Sequence, residues 1–184
     1  MNKKSGFNKA ERKYLPEFVY GGIDGSITTF AVVAGAIGAS LSPSIVLILG
    51  FANLFADGFS MATANYLSAK SNLDLHKGHK DEHKIKKMVG KSPFMSGFAT
   101  FLSFLVIGFI PLISFVLSSF IESLKPYEFN LSIVLTAIAF LIVGGVKGKI
   151  VKKHPAKSAF ETLLIGSIAA ILAFSVGFFL KGLA

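Results

Sequence analysis

The chain contains no cysteine and no tryptophan. Without cysteine it has no disulfide, no thiol chemistry and no thiolate zinc site. Its glycines follow no three-residue period, which excludes a collagen-like fibre. Charge is scarce too: Asp, Glu, Lys and Arg make up 16% of the 184 residues, against roughly 25% in an average soluble domain. Apolar residues reach 52%, and Phe alone occurs 19 times. Disorder requires low hydrophobicity. A soluble domain of this size has too high a surface-to-volume ratio to hide so much apolar surface. What remains is an all-α, polytopic membrane protein. No apolar block alternates with period two, so a membrane β-barrel does not fit.

A spanning helix needs about 20 mostly apolar residues. Five stretches qualify, at 18–39, 44–68, 94–120, 130–151 and 158–181. The chain reads as one five-helix membrane domain over 1–184, with residues 69–93 as a short loop between the second and third spans. That loop has a turn-rich start, and Asp81–Val89 is expected to form a short helix. The N-terminus, with Ala34-Gly35-Ala36 after a basic arm, imitates a cleaved signal peptide. The acid inside the first run and the four spans after it argue for retention. A net charge of +9 suggests nucleic acid, but its placement argues against that partner. Seventeen of the 19 basic residues fall in the N-terminal arm and in the loops after spans 2 and 4, leaving Lys125 and Lys181 on the other side. The positive-inside rule then places the N-terminus in the cytoplasm and the C-terminus outside.

Acids inside a membrane are costly and need a reason. Asp24 lies in the first span, within Tyr20-Gly21-Gly22-Ile23-Asp24-Gly25-Ser26-Ile27-Thr28. Glu17 is two helical turns earlier on nearly the same face, and Thr28 is one turn later. This acid–acid–hydroxyl line suits a cation path; otherwise Glu17 is an interfacial residue and Asp24 a structural partner. In the second span Asn53, Asp57, Met61 and Asn65 recur at steps of four, beside a stripe of small residues, Ala52, Ala56, Ser60, Ala64 and Ser68. Small residues at that spacing let helices approach closely in lipid. The expectation is a helix packed on its small face, with its ligand face lining a path. Met61 alone would read as core filling; one turn from Asp57 it reads as a ligand. Oxygen donors with a thioether favour Fe²⁺ or Mn²⁺ over Ca²⁺. No His lies in a span, so the path is not a zinc site and an intramembrane hydrolase is disfavoured. The Gly21/Gly25 and Gly144/Gly148 pairs read as packing faces.

Asp24-Gly25-Ser26-Ile27-Thr28-Thr29-Phe30 and Ala56-Asp57-Gly58-Phe59-Ser60-Met61 resemble the DG-x-x-TTF and ADG-x-SM motifs of the vacuolar iron transporter (nodulin-21-like) family. The likeness extends through Phe109-Ile110-Pro111-Leu112 and the glycines and alanines of span 5. The resemblance implies a homodimer of five-helix protomers in a lipid bilayer that exports Fe²⁺ or Mn²⁺ from the cytoplasm in exchange for protons. It places Asp24 and Met61 in the translocation path at the dimer interface. Two departures stand out. Asn65 occupies a position where the family usually has Glu. The loop after span 2, about 25 residues long, is too short for the family's Glu-rich metal-collecting domain, making this a short form.

His76, His79 and His83 in that loop would share one face of a helix, a weak capture site for metal, although seven Lys crowd the same stretch. Ser158-Ala159-Phe160-Glu161 matches a capping box opening span 5; the other role for Glu161 is at the cytoplasmic mouth. The lysines from Lys147 to Lys157 read as a topogenic, headgroup-facing patch. Five helices form a thin bundle around a wet path, and a twofold dimer would double its wall. The expected function is therefore a divalent-metal transporter, not an enzyme. Its cargo is Fe²⁺ or Mn²⁺ and it has no resident cofactor. Carboxylates at membrane depth resist ionisation, because desolvation disfavours the charged form, so metal and protons would displace one another. The alternative is a structural or assembly protein whose intramembrane Asp residues only pair helices. The lysine bias, with a single Arg, is compatible with an AT-rich prokaryotic genome. It points to a bacterial inner membrane; a vacuole-like organelle is the other location.

Overall fold

The computed structural model describes residues 11–77 and 91–183. Among these every regular element is helical: α1 (Glu11–Gly38), α2 (Pro43–Lys77), α3 (Pro93–Gly108), α4 (Ile113–Phe120), α5 (Glu128–Ile150) and α6 (Pro155–Leu180), with short 3₁₀ turns at Ile110–Leu112, Glu122–Tyr127 and Lys181–Leu183. Five segments are long and apolar enough to cross a membrane. The third is α3 and α4 joined through the 3₁₀ turn.

Local chemistry sets the ends. Pro43, Pro93 and Pro155 each begin a helix, where a missing N–H costs nothing because the first turn has no acceptor for it. Helix α1 closes where Ser40 adopts a φ of 60°, and the Leu41 N–H bonds back to the Ala36 carbonyl at 2.9 Å. The third span reads from sequence as one helix, but it breaks at Pro111. Proline cannot donate to the helix ladder, and the chain tightens there into the 3₁₀ turn. The Ser132 hydroxyl of α5 donates to the Pro111 carbonyl at 2.7 Å, satisfying the interrupted backbone. The second span runs on as helix through Lys77, which corrects the expected turn-rich start at 69. The segment Asp81–Val89 lies outside the described residues.

Helix α1 is the hub. Of its apolar window 56% is buried, against 6% for the last span, although the last span is the more apolar of the two, with a mean hydropathy of 2.5 against 1.2. It packs on α3, α6, α2 and α5. Small residues make this possible. A Cβ added at Gly21 would stand 2.5 Å from the Thr100 carbonyl, and one at Gly25 would stand 2.6 Å from the Phe104 carbonyl, so α1 and α3 touch backbone to backbone. Gly144 and Gly148 meet α6 in the same way, at Thr162 and at Ser158 and Pro155. Both glycine pairs are packing faces, as expected. A buried core cluster holds Val33, Ala36, Val46, Leu54, Phe104, Leu112 and Phe115. Helix α6 instead exposes Leu164, Ile168, Leu172 and Phe179, the surface a lipid-facing helix presents.

Candidate functional site

Asp24 and Asp57 come from α1 and α2, two helices that pack on each other. Asp57 is fourteen residues into α2, about 21 Å along at 1.5 Å per residue, well inside a hydrocarbon layer of about 30 Å. Asp24 is half-buried and Asp57 is exposed on the outer face of the protomer. Among the described residues neither carboxylate has a hydrogen bond or an ion pair. A groove of about 350 Å³ between α1 and α5 reaches Asp24, with Pro16, Val19, Tyr20 and Ile23 along α1 and Lys147 on the opposite wall. Thr28 belongs to the same helix face, but its hydroxyl donates to the Asp24 carbonyl at 2.9 Å and not to the carboxylate.

The polar stripe of α2 does not stay on one face. Steps of four in a helix of 3.6 residues per turn drift by about 40° each. At one end the Asn53 amide reaches Thr29 of α1 at 3.5 Å. At the other, the Asn65 amide donates to Thr100 of α3 at 2.6 Å. Met61, between them, is partly buried and packs against the core cluster. Asp57 is the member left facing outward. The small stripe departs from expectation: Ala52, Ala56, Ser60, Ala64 and Ser68 are all exposed. Within the protomer α2 packs through Leu54, Gly58 and Met61 instead, because these lie on the side turned to α3.

Glu17 is engaged elsewhere. Its carboxylate accepts from the Lys91 ammonium at 2.7 Å, and its second oxygen, Oε2, is buried without a partner. The neighbouring Tyr14 hydroxyl accepts from the Ser92 N–H at 2.9 Å, so the start of α3 is tied to α1 at two points. Glu161 does not form the expected capping box. Helix α6 begins at Pro155, with His154 at the N-cap and no side-chain cap, which places Ser158 inside the first turns instead of before them. Glu161 lies 3.6 Å from Lys147 of α5. His76 falls in the last turn of α2; His79 and His83 lie outside the described residues. Among the described residues no three His, Asp or Glu side chains form a metal-sized group.

Glu128 was not singled out from sequence. It opens α5 and is 9% exposed, and the Ser118 hydroxyl donates to it at 2.5 Å. An acid in the first turn of an apolar helix, stabilised by the positive end of the helix dipole, is the signal that could have found it.

Comparison with known proteins identifies relatives along most of the chain. A vacuolar iron transporter of Plasmodium berghei is 26% identical, over 98% of this chain and 87% of its own length. Vacuolar iron transporter 1 of Arabidopsis thaliana is 28% identical over 86% and 82%. A vacuolar iron transporter of Centaurea cyanus is 30% identical over 87% and 85%. The model of the VIT family matches residues 15–85 and 79–178, the segments that carry Asp24, Asp57 and all five spans, and the chain belongs to that family.

Proposed function

We propose that this protein moves a divalent transition metal, Fe²⁺ or Mn²⁺, out of the cytoplasm in exchange for protons, along a path between two copies of the chain. The observation that carries this reading is the Asp24–Asp57 pair. Two acids lie at membrane depth on helices that pack on each other, and one of them faces outward, exposed among the described residues. An uncovered acid at that depth is expensive. A second copy laid on the small stripe of α2 would cover it, and would bring four carboxylates around one axis. Two carboxylates balance one divalent ion; when the ion leaves, protons restore neutrality. Met61 stands one turn from Asp57, where its thioether adds a donor suited to Fe²⁺ or Mn²⁺ and of little use to Ca²⁺. The naming of relatives as vacuolar iron transporters supports iron as the cargo.

The test is uptake into proteoliposomes with Fe²⁺, Mn²⁺, Zn²⁺ and Ca²⁺, with and without a pH gradient. The wild type should transport Fe²⁺ or Mn²⁺ faster with the gradient. Asp24→Asn, nearly isosteric but without charge or titratable proton, should fall to the level of protein-free vesicles while eluting as the wild type does. Substantial proton-coupled flux in that variant removes Asp24 from the mechanism. A wild type that moves none of the four metals leaves the structural role of the Asp pair as the better account.

A further inference from the structure

The turn between α5 and α6 carries features apart from Asp24 and Asp57. A cavity of about 580 Å³ lies there, lined by Lys153, His154, Lys157, Ser158 and Glu161. It sits against the first turn of α6, a helix of 26 residues whose N-cap, His154, supplies no capping bond. Pro155 has no N–H, and the Ser158 N–H closes on the His154 carbonyl at 3.1 Å. The Ala156 and Lys157 N–H groups are left as first-turn donors without an intrahelical acceptor. The positive end of the helix dipole points the same way.

A second observation is independent of the helix end. Ser158 is 2% exposed, lines this cavity, and has a hydroxyl with no hydrogen-bond partner. Buried hydroxyls are ordinarily paired, so an acceptor is missing at this place. Both ammonium groups on the cavity, Lys153 and Lys157, are exposed. Glu161, the one acid among the described lining residues, has Lys147 at 3.6 Å to offset its charge.

We propose that this cavity binds a phosphate group, whose oxygens accept from the free N–H groups, the two ammonium groups and the Ser158 hydroxyl. Two sources share that chemistry: the headgroup of an anionic glycerophospholipid and free inorganic phosphate. Position favours the lipid. At 1.5 Å per residue α6 extends about 39 Å, longer than a hydrocarbon layer of about 30 Å, so its first turn stands among headgroups.

The experiment uses the full chain purified in detergent, titrated with phosphatidylglycerol, with phosphatidylcholine and with inorganic phosphate at constant ionic strength. Bound lipid is read by native mass spectrometry and phosphate by equilibrium dialysis. Lys153→Gln/Lys157→Gln should weaken binding about tenfold, the loss of charge-assisted bonds. Ser158→Ala should weaken it about threefold. Lys149→Gln/Lys152→Gln, an equal charge loss outside the cavity lining, should leave it unchanged. Binding of phosphatidylglycerol alone identifies the lipid headgroup, and binding of inorganic phosphate identifies the free anion; both support the site. No binding of either probe overturns it, as does equal weakening by the two lysine pairs, which marks a diffuse basic surface. Should the Lys153/Lys157 variant fail to fold, Ser158→Ala carries the test, and wild-type affinity there refutes the site.

Discussion

Replacing Asn65 by Asp changes one atom and should destabilise the protein. Thr100 is fully buried, and its hydroxyl proton is committed to the Ser96 carbonyl at 3.0 Å. Thr100 Oγ1 therefore only accepts, and the Asn65 amide supplies the donor at 2.6 Å. An ionised Asp has no donor. It would set oxygen against oxygen across the α2–α3 contact, or pull the Thr100 proton away from Ser96. Keeping a proton on Asp near pH 7 costs free energy as well. A buried group left without its partner costs about 1–3 kcal/mol. For a chain of this length each kcal/mol lowers the melting temperature by roughly 2–4 °C, so the loss should be roughly 2–12 °C. The assay is thermal unfolding of the detergent-solubilised protein, followed by loss of the folded size-exclusion peak. Asn65→Leu should cost less than Asn65→Asp, because Thr100 keeps its bond to Ser96. Asn65→Leu with Thr100→Val should be nearly neutral for this contact, since both polar groups leave together. An Asn65→Asp protein melting within about 1 °C of the wild type would refute the donor assignment.

Three further outcomes are expected. Gly25→Ala should lower the melting temperature by the equivalent of about 1–3 kcal/mol, because the new methyl meets the Phe104 carbonyl at 2.6 Å; Gly145→Ala, with nothing within 4 Å, should be neutral or slightly stabilising. Lys91→Met should destabilise more than Lys125→Met, since Glu17 is 13% exposed and Glu122 is 90% exposed, and a buried acid without its cation costs far more than a solvated one; equal melting temperatures would sink that ranking. Met61→Leu should cost under roughly 1.5 kcal/mol in folding while lowering Fe²⁺ or Mn²⁺ uptake more than Ca²⁺ competition, and unchanged competition would return Met61 to the core.

The five spans are legible because length and apolar content suffice for a spanning helix, and the glycine pairs because close packing in lipid demands small residues. What periodicity does not carry is which neighbour a face meets. Asn53 and Asn65 share a spacing and still bond to different helices, because the stripe turns by about 120° over three steps. Glu17 stacks over Asp24 in sequence, yet its cation is Lys91, at the foot of α3, and a pair that distant leaves no local signature. The capping box at Ser158 fails for the opposite reason. A local pattern is present, but Pro155 starts the helix earlier and takes Ser158 into its interior. The small stripe of α2 is the instructive case. Small residues at every fourth position announce a close partner, and the described residues of one protomer supply none: Ala56 and Ser60 stay exposed beside Asp57. A pattern that predicts contact and an outward-facing acid at membrane depth are both resolved if the contact lies between two chains, so the place where sequence and protomer disagree is also the place where the proposed path runs.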